Sequence, residues 1–140
     1  MRGRRLVSKN RFHHIGIVVK NISDAIGKYA AALGIDEDKL VVEVMSYLTG
    51  KGETEEFKYA FLPLAKGENN FIELVEPITP GPTARYLEKR GEGLFHLAFE
   101  SSNILETIED FEKAGIPLIE FNNIIFFSLF SFNICSNLVL

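Results

Sequence analysis

The sequence predicts an α+β fold made of paired βαβββ modules, the second of them incomplete. Three observations carry that prediction. The chain repeats itself: "HIGIVVKNISDAIGKYAAALGI" from His14 is answered by "HLAFESSNILETIEDFEKAGI" from His96, and internal self-similarity is read before anything else. Within each copy the apolar period changes from that of a strand to that of a helix. Three more strand-like runs lie between the copies.

The elements follow in order. The repeat pairs His14 with His96, Asn21 with Asn103, Ile22 with Ile104, Ile26 with Ile108 and Tyr29 with Phe111. A one-residue slip then sets Leu33-Gly34-Ile35 on Ala114-Gly115-Ile116. Residues 12–19 alternate and are β-branched, a strand. Ser23 is placed to cap a helix that runs to Leu33, and Gly34 stops it. "KLVVEVMSYL" (39–48), "FKYAFLPL" (57–64) and "FIELVEP" (71–77) read as strands, with a hairpin turn at "AKGENN" between the last two. "GPTARYLEKRG" is a loop and short helix closed by Gly91. The second copy gives a strand at 94–100, a helix at 103–114 with Ile104, Ile108 and Phe111 on one stripe, and a stop at Gly115. The organisation expected is a basic arm (1–11), a first module (12–77), a connector (78–93), the start of a second module (94–120) and an uncharged tail (121–140).

Composition narrows the function. The chain has 140 residues, 46% of them hydrophobic and 24% charged, an ordinary globular make-up. A net charge of -4 and the lack of a basic stripe interleaved with aromatics argue against a nucleic-acid partner. One cysteine, Cys135, allows no internal disulfide and fits a reducing compartment, so a cytoplasmic location is expected. "MRGRRLVSKNR" is basic but no apolar stretch follows it, so no signal peptide is read there. HExxH, CxxC and nucleophile-elbow patterns are all missing.

Two related βαβββ modules place equivalent positions around a shared cleft, so His14 and His96 are expected to converge. Successive strand residues face opposite ways. His14 alone has a counterpart, and His13 is therefore expected to pack elsewhere or face solvent. Glu73 interrupts the apolar run "FIELVEP", opposite in facing to Ile72, Leu74 and Glu76. A carboxylate there is costly unless it is paired or ligating. Two imidazoles and a carboxylate make a mixed N/O site suited to a divalent metal.

"HIGIVV" followed by a helix, "FIELVEP" and above all "ARYLEKRGEGLFHLAFE" resemble the methylmalonyl-CoA epimerase family of the vicinal oxygen chelate (glyoxalase-like) superfamily, over about Phe12 to Glu120. The "LEKRGEG" block is the part specific to that branch; the histidine strand belongs to the superfamily at large. The resemblance implies a divalent metal (cobalt, magnesium, manganese or zinc) held by two histidines and two Glu/Gln side chains. His14, Glu73 and His96 match three of these positions, while Phe95 stands where the family has a second, non-ligating histidine. It also implies inversion at C2 of an acyl-CoA thioester through an enolate that the metal stabilises, in a homodimer. One catalytic carboxylate is implied near the start of the third strand, where Glu55 and Glu56 both stand.

The resemblance stops at the tail. "FNNIIFFSLFSFNICSNLVL" holds no charged residue, and the first module's spacing puts the counterpart of Glu73 past residue 140. Three readings of the tail remain: a shifted-frame or truncated end, a genuine variant that supplies shortened strands, or a membrane tail. The last is set aside, because the stretch from Ile124 is short for a span and is dotted with Ser and Asn. Asn133, Asn137 and Cys135 are at best weak ligands, so loss of the fourth ligand would impair the epimerase. The alternatives are a non-catalytic small-molecule-binding module on the same scaffold, or a glyoxalase-type lyase.

Overall fold

The computed structural model describes residues 10–48, 52–64, 70–116, 118–121, 124–127 and 132–135, the last three as strand backbone. In chain order the elements are β1 (Arg11–Val18), α1 (Ile22–Leu33), β2 (Glu43–Leu48), β3 (Thr54–Pro63), β4 (Phe71–Pro77), α2 (Pro82–Arg90), β5 (Gly93–Glu100), α3 (Ile104–Lys113), β6 (Leu118–Phe121), β7 (Ile124–Phe127) and β8 (Phe132–Cys135). The predicted arm at 1–11 falls mostly outside the described residues, as does the hairpin turn at "AKGENN" except for Asn70.

The strands form one eight-stranded sheet in the order β2-β3-β4-β1-β5-β8-β7-β6. Each half of that order is one βαβββ module with its first strand at the centre. β1 pairs parallel with β4, and β5 pairs parallel with β8. The two central strands, β1 and β5, pair antiparallel. The expectation of an incomplete second module is therefore corrected in its strand count: β6, β7 and β8 fill the places of β2, β3 and β4. They are shortened, at four residues each against six, ten and seven.

Local chemistry sets the helix ends. The cap of α1 is Asn21 and not Ser23: its side-chain oxygen accepts from Asp24 N–H at 2.9 Å. Asn103 serves α3 in the same way, accepting from Glu106 N–H. The aligned asparagines of the repeat thus satisfy the same orphan donors in both modules. Gly34 ends α1 at φ 69°, in the left-handed region that favours glycine, and bonds back to Ala30. Pro82 opens α2 where a missing N–H costs nothing.

The core lies on one side of the sheet. Ile22, Ala25 and Ile26 of α1 pack on Ala60, Leu62 and Leu74 of β3 and β4. Leu74 is fully buried in that layer, so period-two alternation sends its neighbour Glu73 to the other face. Glu76, on the core side, accepts the N–H of Ile22 at 2.8 Å and ties β4 to the start of α1. The face opposite α1 is where the polar residues gather.

Candidate metal centre

Three adjacent strands build the centre. His14 lies on β1, Glu73 on β4 and His96 on β5. Gly16 is paired with Glu73 on one side and with His96 on the other. Directly paired residues share a face of the sheet, so these side chains rise together over the glycine. A Cβ on Gly16 would sit 2.3 Å from the His96 ring. The strand therefore needs glycine there for a steric reason, and "HIGI" is the sequence trace of that need.

Three atoms converge. His14 Nε2 lies 3.0 Å from Glu73 Oε2, His96 Nε2 lies 2.9 Å from the same oxygen, and the two imidazole nitrogens are 2.9 Å apart. All three residues are buried, at 3%, 6% and 6% exposure for His14, Glu73 and His96. Burial alone would push the Glu73 carboxyl up. The hydrogen bonds and charge of His14 and His96 outweigh it and bring the carboxyl down to about 2. The rings of Phe61 and His14 meet edge-on at 5.2 Å, which lines this side with apolar surface.

The donors fit a divalent cation. A buried carboxylate between two imidazoles is a hard oxygen with two borderline nitrogens, the ligand chemistry of Mn, Co or Zn. Their spacing suits an octahedral ion, whose adjacent donors at bonds of ~2.1 Å stand ~3.0 Å apart. Among the described residues this is the group of three or more His, Cys, Asp or Glu placed to hold a metal.

The second module completes the pattern with a different residue. His14 pairs with Ala98, and Ala98 pairs with Asn133 of β8. This is the mirror of Gly16 between His96 and Glu73. Asn133 thus occupies, by register, the position that Glu73 holds in the first module. The first module's spacing puts that counterpart past residue 140, and shortened strands bring it forward.

His13 departs from expectation. The pairing of β1 with β5 slips between Phe12 and His14, and a bulge of this kind leaves one residue unpaired and re-aims its side chain. His13 is that residue. Its ring is buried at 5% exposure, and its Nδ1 lies 2.7 Å from His14 Nδ1. The expectation that it faces away from His14 fails because strand alternation breaks at a bulge. Burial first, then His14, lowers the pKa of His13 from its usual value, with Glu100 and Glu73 pulling the other way. The one sequence signal was the His-His doublet itself.

Glu55 and Glu56 are not brought into the triangle. Glu55 lies on the same sheet face as the triangle, six residues along β3 from Phe61, the partner of Glu73. It is fully buried and caps α2: Thr83 N–H donates to Oε1 at 2.9 Å, and the Tyr47 hydroxyl donates to Oε2 at 2.6 Å. Burial first, and then the bond to Glu55, pushes the Tyr47 hydroxyl up. The Glu56 side chain alternates to the α1 side, and its backbone carbonyl accepts from Ile78 and Thr79 N–H.

Comparison with known proteins places this geometry. The sequence matches the glyoxalase/bleomycin resistance protein/dioxygenase superfamily over residues 13–123. The chain belongs to that superfamily. It is 31% identical over 112 residues to the uncharacterized protein YqjC of Bacillus subtilis, covering 79% of this chain and 71% of that one. Among solved structures it resembles methylmalonyl-CoA epimerase from Mycobacterium tuberculosis, with a TM-score of 0.70 at 20% identity over 96% of this chain and 93% of that one. It also resembles a variant of the Streptomyces coelicolor methylmalonyl-CoA epimerase in complex with 2-nitronate-propionyl-CoA, with a TM-score of 0.66 at 18% identity over 94% and 97% of the two chains. These likenesses establish the superfamily fold. Among the described residues no helix is long and apolar enough to cross a membrane.

Proposed function

We propose that the chain is a metal-dependent epimerase acting at C2 of an acyl-CoA thioester of the methylmalonyl type, in the cytoplasm and as a homodimer. One observation carries the reading: the buried triangle of His14 Nε2, His96 Nε2 and Glu73 Oε2, with sides of 2.9 to 3.0 Å. A divalent cation held there supplies a Lewis acid for the negative charge that develops on the thioester oxygen. The chain's own part is to fix three donors in a dry setting where charge interactions are strong. A carboxylate removes the C2 proton and a second acid returns one to the opposite face. Of the two carboxylates at the start of β3, Glu55 lies on the triangle's face of the sheet and is the candidate base, whereas Glu56 lies on the other face.

A second reading, a non-catalytic thioester-binding module, is favoured by the state of Glu55. Both its oxygens are engaged, one by the α2 backbone and one by Tyr47. The test is exchange of the C2 proton of methylmalonyl-CoA in deuterated water with cobalt or magnesium added. Exchange that is lost in His96→Ala supports the epimerase. A folded, metal-loaded chain that exchanges nothing leaves the binding module.

A further inference from the structure

The bulge at His13 gives His14 a partner behind the triangle. His13 is wedged between ring contacts to Phe61 at 5.8 Å and Phe71 at 5.2 Å. Its Nδ1 meets His14 Nδ1 at 2.7 Å, and its Nε2 lies 3.7 Å from Glu100 Oε1. Glu100 is held in turn by Arg11, whose Nε donates to Oε2 at 2.9 Å. The line therefore runs from the triangle through two imidazoles to an ion pair near the surface.

The two polarities of the His13–His14 hydrogen bond are not equivalent. A neutral imidazole carries one N–H and one lone pair. If His14 donates from Nδ1, its Nε2 lone pair points into the triangle, and the proton of His13 sits on Nε2 towards Glu100. If His13 donates instead, the proton of His14 sits on Nε2 inside the triangle, and a lone pair of His13 faces the carboxylate. Without a cation, Glu73 Oε2 at 3.0 Å favours a proton on His14 Nε2. A cation in the triangle displaces that proton, and the Glu100 charge, at 3.7 Å too far for a hydrogen bond, then supports the first arrangement. That is the arrangement in which His14 is a ligand. A metal-bound histidine is commonly fixed by the partner of its other nitrogen.

We propose that in the metal-loaded chain His13 is a positioning residue that accepts the His14 Nδ1–H and so holds His14 with its Nε2 lone pair towards the cation that it shares with Glu73 and His96. The inference rests on the metal-centre reading. Two readouts test it. In the zinc-loaded full chain with nitrogen-labelled histidines, the hydrogen bond shows as a scalar coupling between His14 Nδ1 and His13 Nδ1, with the proton assigned to His14. Cobalt(II) affinity is then compared across variants. His13→Phe keeps the ring volume, removes the acceptor and is expected to weaken cobalt binding about 10–100-fold. His13→Asn returns an acceptor near the Nδ1 position and is expected to stay within a few-fold of wild type. Absence of the coupling, a Phe variant that binds like wild type, or an Asn variant as weak as the Phe variant overturns the proposal. If the Phe variant fails to fold, the coupling and the Asn variant decide. A wild-type chain that binds neither zinc nor cobalt overturns the metal centre and this inference together, whereas binding without the coupling overturns the inference alone.

Discussion

The two modules offer matching backbone positions to one centre and fill them differently. In the first, His14 is backed by His13, and the strand beside it carries Glu73. In the second, His96 is backed by Phe95, and the strand beside it carries Asn133. The pairing of β1 with β5 slips at both doublets, between Phe12 and His14 and again where Gly16 pairs with His96 but Ile17 pairs with Leu94. His13 and Phe95 are thus equivalent bulged residues, one with a nitrogen to offer and one without. Among the described residues His96 Nδ1 is the buried side-chain polar atom with no hydrogen-bond partner. The lesson is that a duplicated backbone preserves positions, while charge and hydrogen bonding have come to sit in one half.

The largest effect is expected where the halves meet. Gly16 and Ala98 are equivalent, each paired with the other module's histidine. In Gly16→Ala the new methyl overlaps the His96 ring, so the ring or the strand must shift and the triangle is disturbed. Metal affinity is expected to fall by more than the ~100-fold upper range for outer partners, with overpacking costing about 1–3 kcal/mol. Ala98→Gly relieves nothing and is expected to lower stability by roughly 0.5–1 kcal/mol through backbone entropy. Metal titration and thermal melts on both variants check the pair; equal losses of affinity would mean that His96 does not depend on the glycine.

Asn133→Glu makes the halves alike in charge. A second carboxylate at the register position of Glu73 is expected to tighten divalent-metal binding at least tenfold, about 1.4 kcal/mol. The same change brings a second carboxylate, by register, to the site of the buried Glu73, so metal-free stability is expected to drop. Opposite signs with and without metal are the signature. A variant with unchanged affinity would remove Asn133 from the centre.

Much of the arrangement was legible in the sequence. The repeat located both histidines, and an isolated Glu73 in an apolar strand gave the third member of the cluster, because period-two alternation is rigid along β4. The role of His13 was barely legible, since the bulge breaks the alternation by a single residue and its one trace in the sequence is the His-His doublet. The place of Asn133 was not legible. It depends on how short β6, β7 and β8 are, and the first module's spacing misleads there. Ser23 was the expected cap of α1 on residue type, although the aligned Asn21 and Asn103 already carried the better signal.

Metal-free stability should fall with pH in two stages, both set by the first module. His13 has a lowered pKa, so its contribution is complete above 6.5, the ordinary value, and is lost as pH falls below it and the unfolded chain takes up a proton. Glu73 is lowered from 4.5 to about 2, so its contribution is complete above 4.5 and is lost as pH falls from there towards 2. Urea denaturation at a series of pH values reads both stages. His13→Phe is expected to abolish the upper stage and Glu73→Gln the lower one. An upper stage that persists in His13→Phe would assign it to another group.

The smallest change is Phe95→His, which gives the second module the doublet of the first. Phe95 packs on Tyr86 at 4.9 Å, and its ring lies 5.3 Å from His96. Losing the aromatic pair costs about 0.5–1.5 kcal/mol. A partner for the buried His96 Nδ1 offsets a penalty of about 1–3 kcal/mol. The two nearly cancel, so unfolding stability is expected to change by under about 1 kcal/mol. Affinity answers the sharper question. If a partner behind the ring is what makes a histidine a good ligand in this sheet, the variant binds cobalt a few-fold more tightly than wild type, and His13→Phe is partly compensated in the double variant. If the double variant is as weak as His13→Phe alone, the outer partner matters only on the side that also carries Glu73, and the asymmetry between the modules is functional in origin.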